Sequence, residues 1–198
     1  MMEKLPHEVY EYVLRETDKT QWDKEDFKHF PDILWLIEEN ISLDNLSETH
    51  KEICFRNGYL EIIPHIDFDK NNTKYCSYAA HNGHLKCLIY AHENGYAWDE
   101  KTCSYASSQG NLNCLRYAHE NGCPWDTFTC LFPAGYGRLE CLRYAHEHGC
   151  PWEKYTCESA ALHGRLECLR YAHENGCPWD EFTCFNAVLC GRLICLHP

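Results

Sequence analysis

The sequence predicts an all-α solenoid built from helix-turn-helix units. Three observations lead there. Glycines at Gly83, Gly110, Gly137, Gly164 and Gly191 recur every 27 residues, and Trp98, Trp125, Trp152 and Trp179 keep the same step, as do Cys87, Cys114, Cys141, Cys168 and Cys195. Residues 137–163 and 164–190 agree at 19 of 27 positions. Within a unit the apolar residues follow a helical period, with no strand signal. A fixed period of this size means stacked units that each bury one face against a neighbour.

In chain order, residues 1–19 open with Leu5-Pro6-His7-Glu8-Val9-Tyr10-Glu11-Tyr12-Val13-Leu14. Pro6 suits a first helical turn, and Val9, Val13 and Leu14 make one apolar face, so this reads as a short cap helix. Residues 20–57 read as a degenerate capping repeat. Phe30 to Asn40 has the shape of a second helix without its glycine, and residues 1–74 carry 17 acidic against 9 basic side chains, which suits the polar outer face of an end unit. Residues 58–198 hold the repeats, the first of them degenerate and opened by Gly58-Tyr59-Leu60-Glu61-Ile62-Ile63.

The unit from Gly164 to Gly191 shows the pattern. Leu166, Leu169, Ala172 and His173 share a helical face, and Asn175-Gly176 ends that helix, since glycine tolerates the left-handed C-cap conformation. Cys177-Pro178-Trp179-Asp180 forms a turn. A shorter helix then runs from about Thr183 to Leu189, with Asp180 or Thr183 as its cap. Pro133, inside the equivalent short helix, is expected to distort its unit. The last unit, from Gly191 to Leu196, starts a helix with no capping repeat after it, which predicts fraying or a contact with another molecule.

These residues resemble the ankyrin repeat. Gly137-Arg138-Leu139-Glu140-Cys141-Leu142-Arg143-Tyr144-Ala145-His146-Glu147-His148-Gly149-Cys150 is similar to the family's second helix, Gly-His-Leu-Glu-Val-Val-Lys-Leu-Leu-Leu-Glu-x-Gly-Ala. Cys76-Ser77-Tyr78-Ala79-Ala80-His81-Asn82-Gly83 is similar to the first helix, Leu-His-Leu-Ala-Ala-x-x-Gly. The family unit is about 33 residues, so about six are missing, from the tip between repeats, and Thr-Pro-Leu-His survives only as Thr-Cys. This short, Cys-Pro-Trp-bearing form resembles the arrays of large DNA viruses of amoebae, which often follow an F-box-like start. Leu5 to Leu14 resembles such a start, Leu-Pro-x-Glu-Ile-x-x-x-Ile-Leu, but the pattern fails from Arg15 to Phe30.

Composition excludes several classes. The 198 residues carry 18 basic and 30 acidic side chains, a net charge of −12, and neither half is basic, which argues against a nucleic-acid footprint. No stretch reaches the roughly 18 apolar residues of a membrane span. The cysteine count, 15, would suit a disulfide scaffold, but it is odd and the N-terminus shows no signal-like apolar run. We therefore expect free thiols in an intracellular, reducing compartment, the host cytoplasm for a viral chain.

The sharpest chemical candidate is zinc. Each strong unit offers Cys-x4-His-x3-Cys-x6-Cys, as in Cys114, His119, Cys123 and Cys130. Cys114 and His119 are five apart, which points them about 140° apart on a helix; His119, Cys123 and Cys130 remain as the set that converges if an outside ligand completes it. Against this, the unit at 83–109 has Tyr96 in place of the cysteine, and free cysteine behaves as a small hydrophobe. The stronger reading is core thiols, with no metal and no cofactor. Cys and His recur in register, unlike a single catalytic pair, and no nucleotide, zincin, hydrolase or kinase motif is present, so no enzyme is expected.

The tryptophans read as a packing ladder; Trp152→Ala is expected to cost roughly 3–5 kcal/mol if the ring is buried. Comparing units separates scaffold from surface. The resemblance implies a concave face formed by the first helix and tip that holds a partner protein. The variable positions there are Lys101, Phe128, Tyr155 and Phe182, then Ser104, Leu131, Glu158 and Phe185, and at the helix end Ser108, Gln109, Tyr136, Leu162 and His163. Their aromatics suit interface anchors. The function expected is a protein-interaction scaffold. The alternatives are a substrate adaptor of a cullin-type ubiquitin ligase, recruited through the F-box-like start, and a structural component of a larger particle.

Overall fold

The structure, a computed structural model, describes residues 46–60 and 63–189. The F-box-like start, the Phe30 to Asn40 segment and the final Gly191 to Leu196 helix lie outside them. The described residues form ten α-helices and no strand. They are α1 (Glu48–Asn57), α2 (Lys74–Asn82), α3 (Leu85–Glu93), α4 (Glu100–Gln109), α5 (Leu112–Glu120), α6 (Phe128–Tyr136), α7 (Leu139–Glu147), α8 (Lys154–Leu162), α9 (Leu166–Glu174) and α10 (Glu181–Leu189).

Two layers result. The first helices α1, α2, α4, α6, α8 and α10 lie side by side, and the second helices α3, α5, α7 and α9 each pack behind their own first helix. The first-helix layer is the tighter, because small residues face its neighbours: Cys76, Ala79 and Ala80, then Cys103, Ala106 and Ser107, then Cys157, Ala160 and Ala161 are all buried. In the second helices the buried set is Cys-Leu-x-x-Ala, as in Cys114, Leu115 and Ala118. The cysteines thus occupy core positions, as their register predicted.

Two local readings need correction, and the choice between two caps is decided. First and second helices are of equal length in the last full unit, nine residues each, so α10 is not the shorter one. Its cap is Asp180, whose Oδ1 accepts from the backbone N–H of Phe182 at 3.0 Å and of Thr183 at 3.2 Å; Thr183 is itself buried inside the helix. Pro133 does not break α6, which runs unbroken to Tyr136. A proline forfeits one helical bond, to the carbonyl four residues back, while its own carbonyl accepts from the N–H of the capping Gly137, from Arg138 N–H at 2.8 Å and from the Cys168 thiol at 3.8 Å.

At the N-terminal side Gly58 caps α1, so the first-helix layer reaches back at least to Glu48. Among the described residues, the second-helix slot behind α1 holds a 3-10 turn, Ile63–His65. Four rings fill that space: Phe55, Phe68, Tyr75 and Tyr96, with neighbouring centroids 5.0–6.2 Å apart. Tyr96 stands where other units have cysteine because this end of the array has more space to fill.

Candidate functional site

Two ladders hold the units in register and leave one face free. In the first, the residue after each capping glycine reaches back to the C-terminal carbonyls of the preceding first helix. His84 Nε2 donates to Arg56 O at 2.8 Å, Asn111 Nδ2 to Ala80 O at 2.9 Å and His81 O at 2.7 Å, and Arg165 Nε to Gly135 O at 3.2 Å. Arg138 Nε makes the longer equivalent, 3.5 Å to Ser108 O. These are carbonyls that a helix end leaves without partners.

In the second ladder, each unit's histidine stacks on its own tryptophan and bonds to the next unit's tyrosine. Ring centroids of His92 and Trp98, His119 and Trp125, and His146 and Trp152 lie 4.1, 3.9 and 3.8 Å apart. His92, His119 and His146 share hydrogen bonds of 2.9 Å through Nδ1 with the hydroxyls of Tyr117, Tyr144 and Tyr171. Burial and the neighbouring His148 hold His119 below the ordinary histidine value, and burial raises the three tyrosines.

The structure does not bring together the zinc set drawn from the sequence. His119 is committed to Trp125 and Tyr144, the Cys123 thiol donates to Asp99 O at 3.3 Å, and Cys130 points toward Cys150 O at 3.9 Å. The three do not converge, and no group of three metal-ligating side chains is found among the described residues.

The face left over is the outer side of the first-helix layer. Among the described residues, the exposed large apolar side chains are Phe128, Tyr136, Tyr155, Leu162, Phe182 and Phe185, between 48 and 60 % exposed. All lie on α6, α8 or α10; none lies on a second helix. Lys101, Gln109 and His163 are exposed on the same layer, and Leu131 and Glu158 are half-buried beside them. Ser104 and Ser108 differ: both are buried, and their hydroxyls donate to carbonyls of their own helix, those of Lys101 at 3.3 Å and Tyr105 at 2.8 Å.

A groove of about 610 Å³ continues this face across the ends of α1, α2, α4 and α6. It contains Ser108, Gln109 and Tyr136, which the sequence comparison singled out, and also Arg56, Tyr78, His81, Tyr105 and Phe132, which it did not. The missed column was present in the register: Tyr78, Tyr105 and Phe132 are 27 residues apart, and continue as Ser159 and Asn186. Arg56 stacks on Tyr78, 4.1 Å from its ring centre, and His81 meets Tyr105 edge to face at 5.7 Å.

No protein-family model matches the chain, and no curated protein does. Solved structures do match. The crystal structure of the human ASB11 ankyrin repeat domain is similar with a TM-score of 0.54 at 16% identity, over 67% of this chain and 71% of that one. Together with the all-helical layers, this makes the fold an ankyrin-like α-solenoid.

Proposed function

We propose that the chain is a protein-interaction scaffold that holds a partner protein against its first-helix face. The observation that carries this is the segregation of exposed apolar residues. Contiguous apolar patches on a soluble surface mark interaction sites, and here every large one among the described residues is on one layer, next to an aromatic groove. Phe128, Tyr155 and Phe182 repeat at one helical position and serve as anchors, and Tyr136, Leu162 and Phe185 extend the strip. Lys101, Gln109 and His163 form its polar rim, with Leu131 and Glu158 between the helices. Ser104 packs the layer, and Ser108, though buried, keeps an edge in the groove.

A rigid strip of this kind does nothing chemical by itself. Its large exposed side chains are mostly aromatic, which suits hot-spot contacts rather than proton transfer. No helix among the described residues is long and apolar enough to cross a membrane.

Affinity capture from the native cell tests the reading. The full chain is compared with the triple variant Phe128→Ser, Tyr155→Ser, Phe182→Ser and with Arg143→Ala on the second-helix face. We expect a specific protein to be retained by the wild type and Arg143→Ala, and lost at least tenfold by the triple variant at unchanged helical content. Equal retention by all three would refute the assignment.

A further inference from the structure

The groove across the first-helix ends repeats along the array. Tyr78 on α2, Tyr105 on α4 and Phe132 on α6 hold one register position of three neighbouring first helices, and all three rings line it. The three helices pack side by side, so successive rings stand about 8–10 Å apart, the usual interval between packed helices. A ligand that sets the same residue on each ring must repeat at that interval. A polyproline II helix does so, since its three-residue turn advances about 9 Å. Alternate residues of a β-strand recur at about 6–7 Å and fall out of step. An α-helix repeats at about 10–11 Å over seven residues, but its backbone is already hydrogen-bonded and has no use for the polar groups of the groove.

Those polar groups suit an unbonded backbone. Polyproline II makes no internal hydrogen bonds, so its carbonyls need donors. Among the described residues no hydrogen bond occupies the hydroxyl of Tyr78 or Tyr105. The Gln109 amide makes only a 3.5 Å contact to Ser108 Oγ, and the Asn82 amide uses one of its two N–H groups on Tyr78 O, at 3.0 Å. Aromatic rings with donors at their edges are how grooves of this kind hold proline-rich segments.

Charge defines one end. The chain carries a net charge of −12, yet no Asp or Glu lines the groove. Arg56 of α1 does, with its guanidinium laid 4.1 Å over the Tyr78 ring. Its ion-pair partner Glu52, at 3.6 Å, is shared with Lys74 at 3.0 Å, so the three together keep one net positive charge. The Arg56 side chain is half exposed and has N–H groups to offer a further carboxylate.

We propose that this groove takes an extended, proline-rich segment of the partner protein, with prolines three residues apart on Tyr78, Tyr105 and Phe132 and an acidic side chain at Arg56. The inference names a part of the partner and so rests on the scaffold reading. Ring stacking, hydrogen bonds to the segment's carbonyls and one ion pair hold it, leaving the strip on α8 and α10 to the rest of the partner.

The test follows fluorescence polarisation of labelled undecapeptide pools added to the full-length chain. One pool fixes proline at positions 3, 6 and 9 and glutamate at both ends, with the other positions degenerate. A second pool replaces the prolines by alanine, and a third replaces the glutamates by lysine. The first pool should bind about tenfold more tightly than either of the others. Tyr105→Ala should abolish the preference for proline at unchanged helical content. Arg56→Glu, an exposed change, should reverse the preference for acid, and Phe182→Ser on the strip should alter neither. The inference is overturned if no pool binds, if the alanine pool binds as tightly as the proline pool, or if the Arg56→Glu chain still favours glutamate. Affinity capture keeps its failure apart from that of the scaffold reading. A partner lost by the triple strip variant but kept by Tyr105→Ala removes the groove alone; no partner on the wild type removes both.

Discussion

The glycine that ends a first helix carries two constraints at once. Gly137 has φ of +75°, and a Cβ there would lie 2.9 Å from Arg165 Cδ, the side chain that reaches back from the next unit. Gly149 has φ of +83° but nothing within 4 Å of that position. Gly149→Ala should therefore cost only the left-handed backbone term, about 1–2 kcal/mol, and Gly137→Ala more, because the Arg165 contact must also move. Urea unfolding of the two variants measures the difference; equal costs would mean the ladder arginine yields freely. His119 gives a pH prediction. The folded chain binds its proton less readily than the unfolded one, so stability is full above the ordinary value of 6.5 and falls as pH drops through it. Urea midpoints at pH 7.5 and 5.5 should show this loss, and His148→Asn, which removes the neighbouring ring, should reduce it. Of these residue-level facts the sequence displayed the glycines and the core cysteines, because both recur in register. It did not display the histidine's dual commitment, since Tyr144 lies 25 residues away and only stacking of units brings it to His119.

The helices were legible and their ends less so. Periodicity placed the second helices from α3 to α9, and glycines cap α2, α4 and α6 as expected, whereas α8 is capped one residue earlier, by His163. The starts were misjudged because Asp180 and Thr183 are both good cap residues, and only the backbone shows that Asp180 lies outside the helix while Thr183 lies inside. Trp152 packs on His146 at 3.8 Å and within 6.3 Å of Tyr171, yet it is only half-buried. Trp152→Ala is thus expected to cost roughly 2 kcal/mol, below the 3–5 kcal/mol of a fully buried ring. Tyr171→Phe, which removes only the bond to His146, should cost about 1 kcal/mol. Thermal and urea unfolding check both, and a larger loss from Tyr171→Phe would mean that the bond, not the stacked ring, holds α7 to α9.

For the molecule, the repeat arithmetic pointed to a helical solenoid, the resemblance of its helices to the ankyrin repeat gave its kind, and the comparison of units nominated thirteen surface positions. The structure gathers the aromatic ones on a single layer and withdraws Ser104 and Ser108 into it. It adds Tyr78, Tyr105 and Phe132, a column that varies along the array as much as the neighbouring one that was singled out. Because each unit's contacts run only to its neighbours, stability should be nearly a sum over units and interfaces. Deleting residues 137–163 joins Tyr136 to Gly164 in register, and the shortened chain should remain helical and cooperatively folded with a lower Tm. Circular dichroism during heating tests this; a molten or aggregated product would show that the array depends on longer-range contacts.

The reach of His84, Asn111, Arg138 and Arg165 across one junction has a consequence for ancestry. Counted from the start of each first helix, every one of these bonds has one end in each of two successive copies, so a copying error that duplicates one 27-residue unit reproduces both ends together. Such an array can lengthen or shorten by whole units without inventing a contact. The agreement of residues 137–163 and 164–190 at 19 of 27 positions is what a duplication of this kind would leave behind.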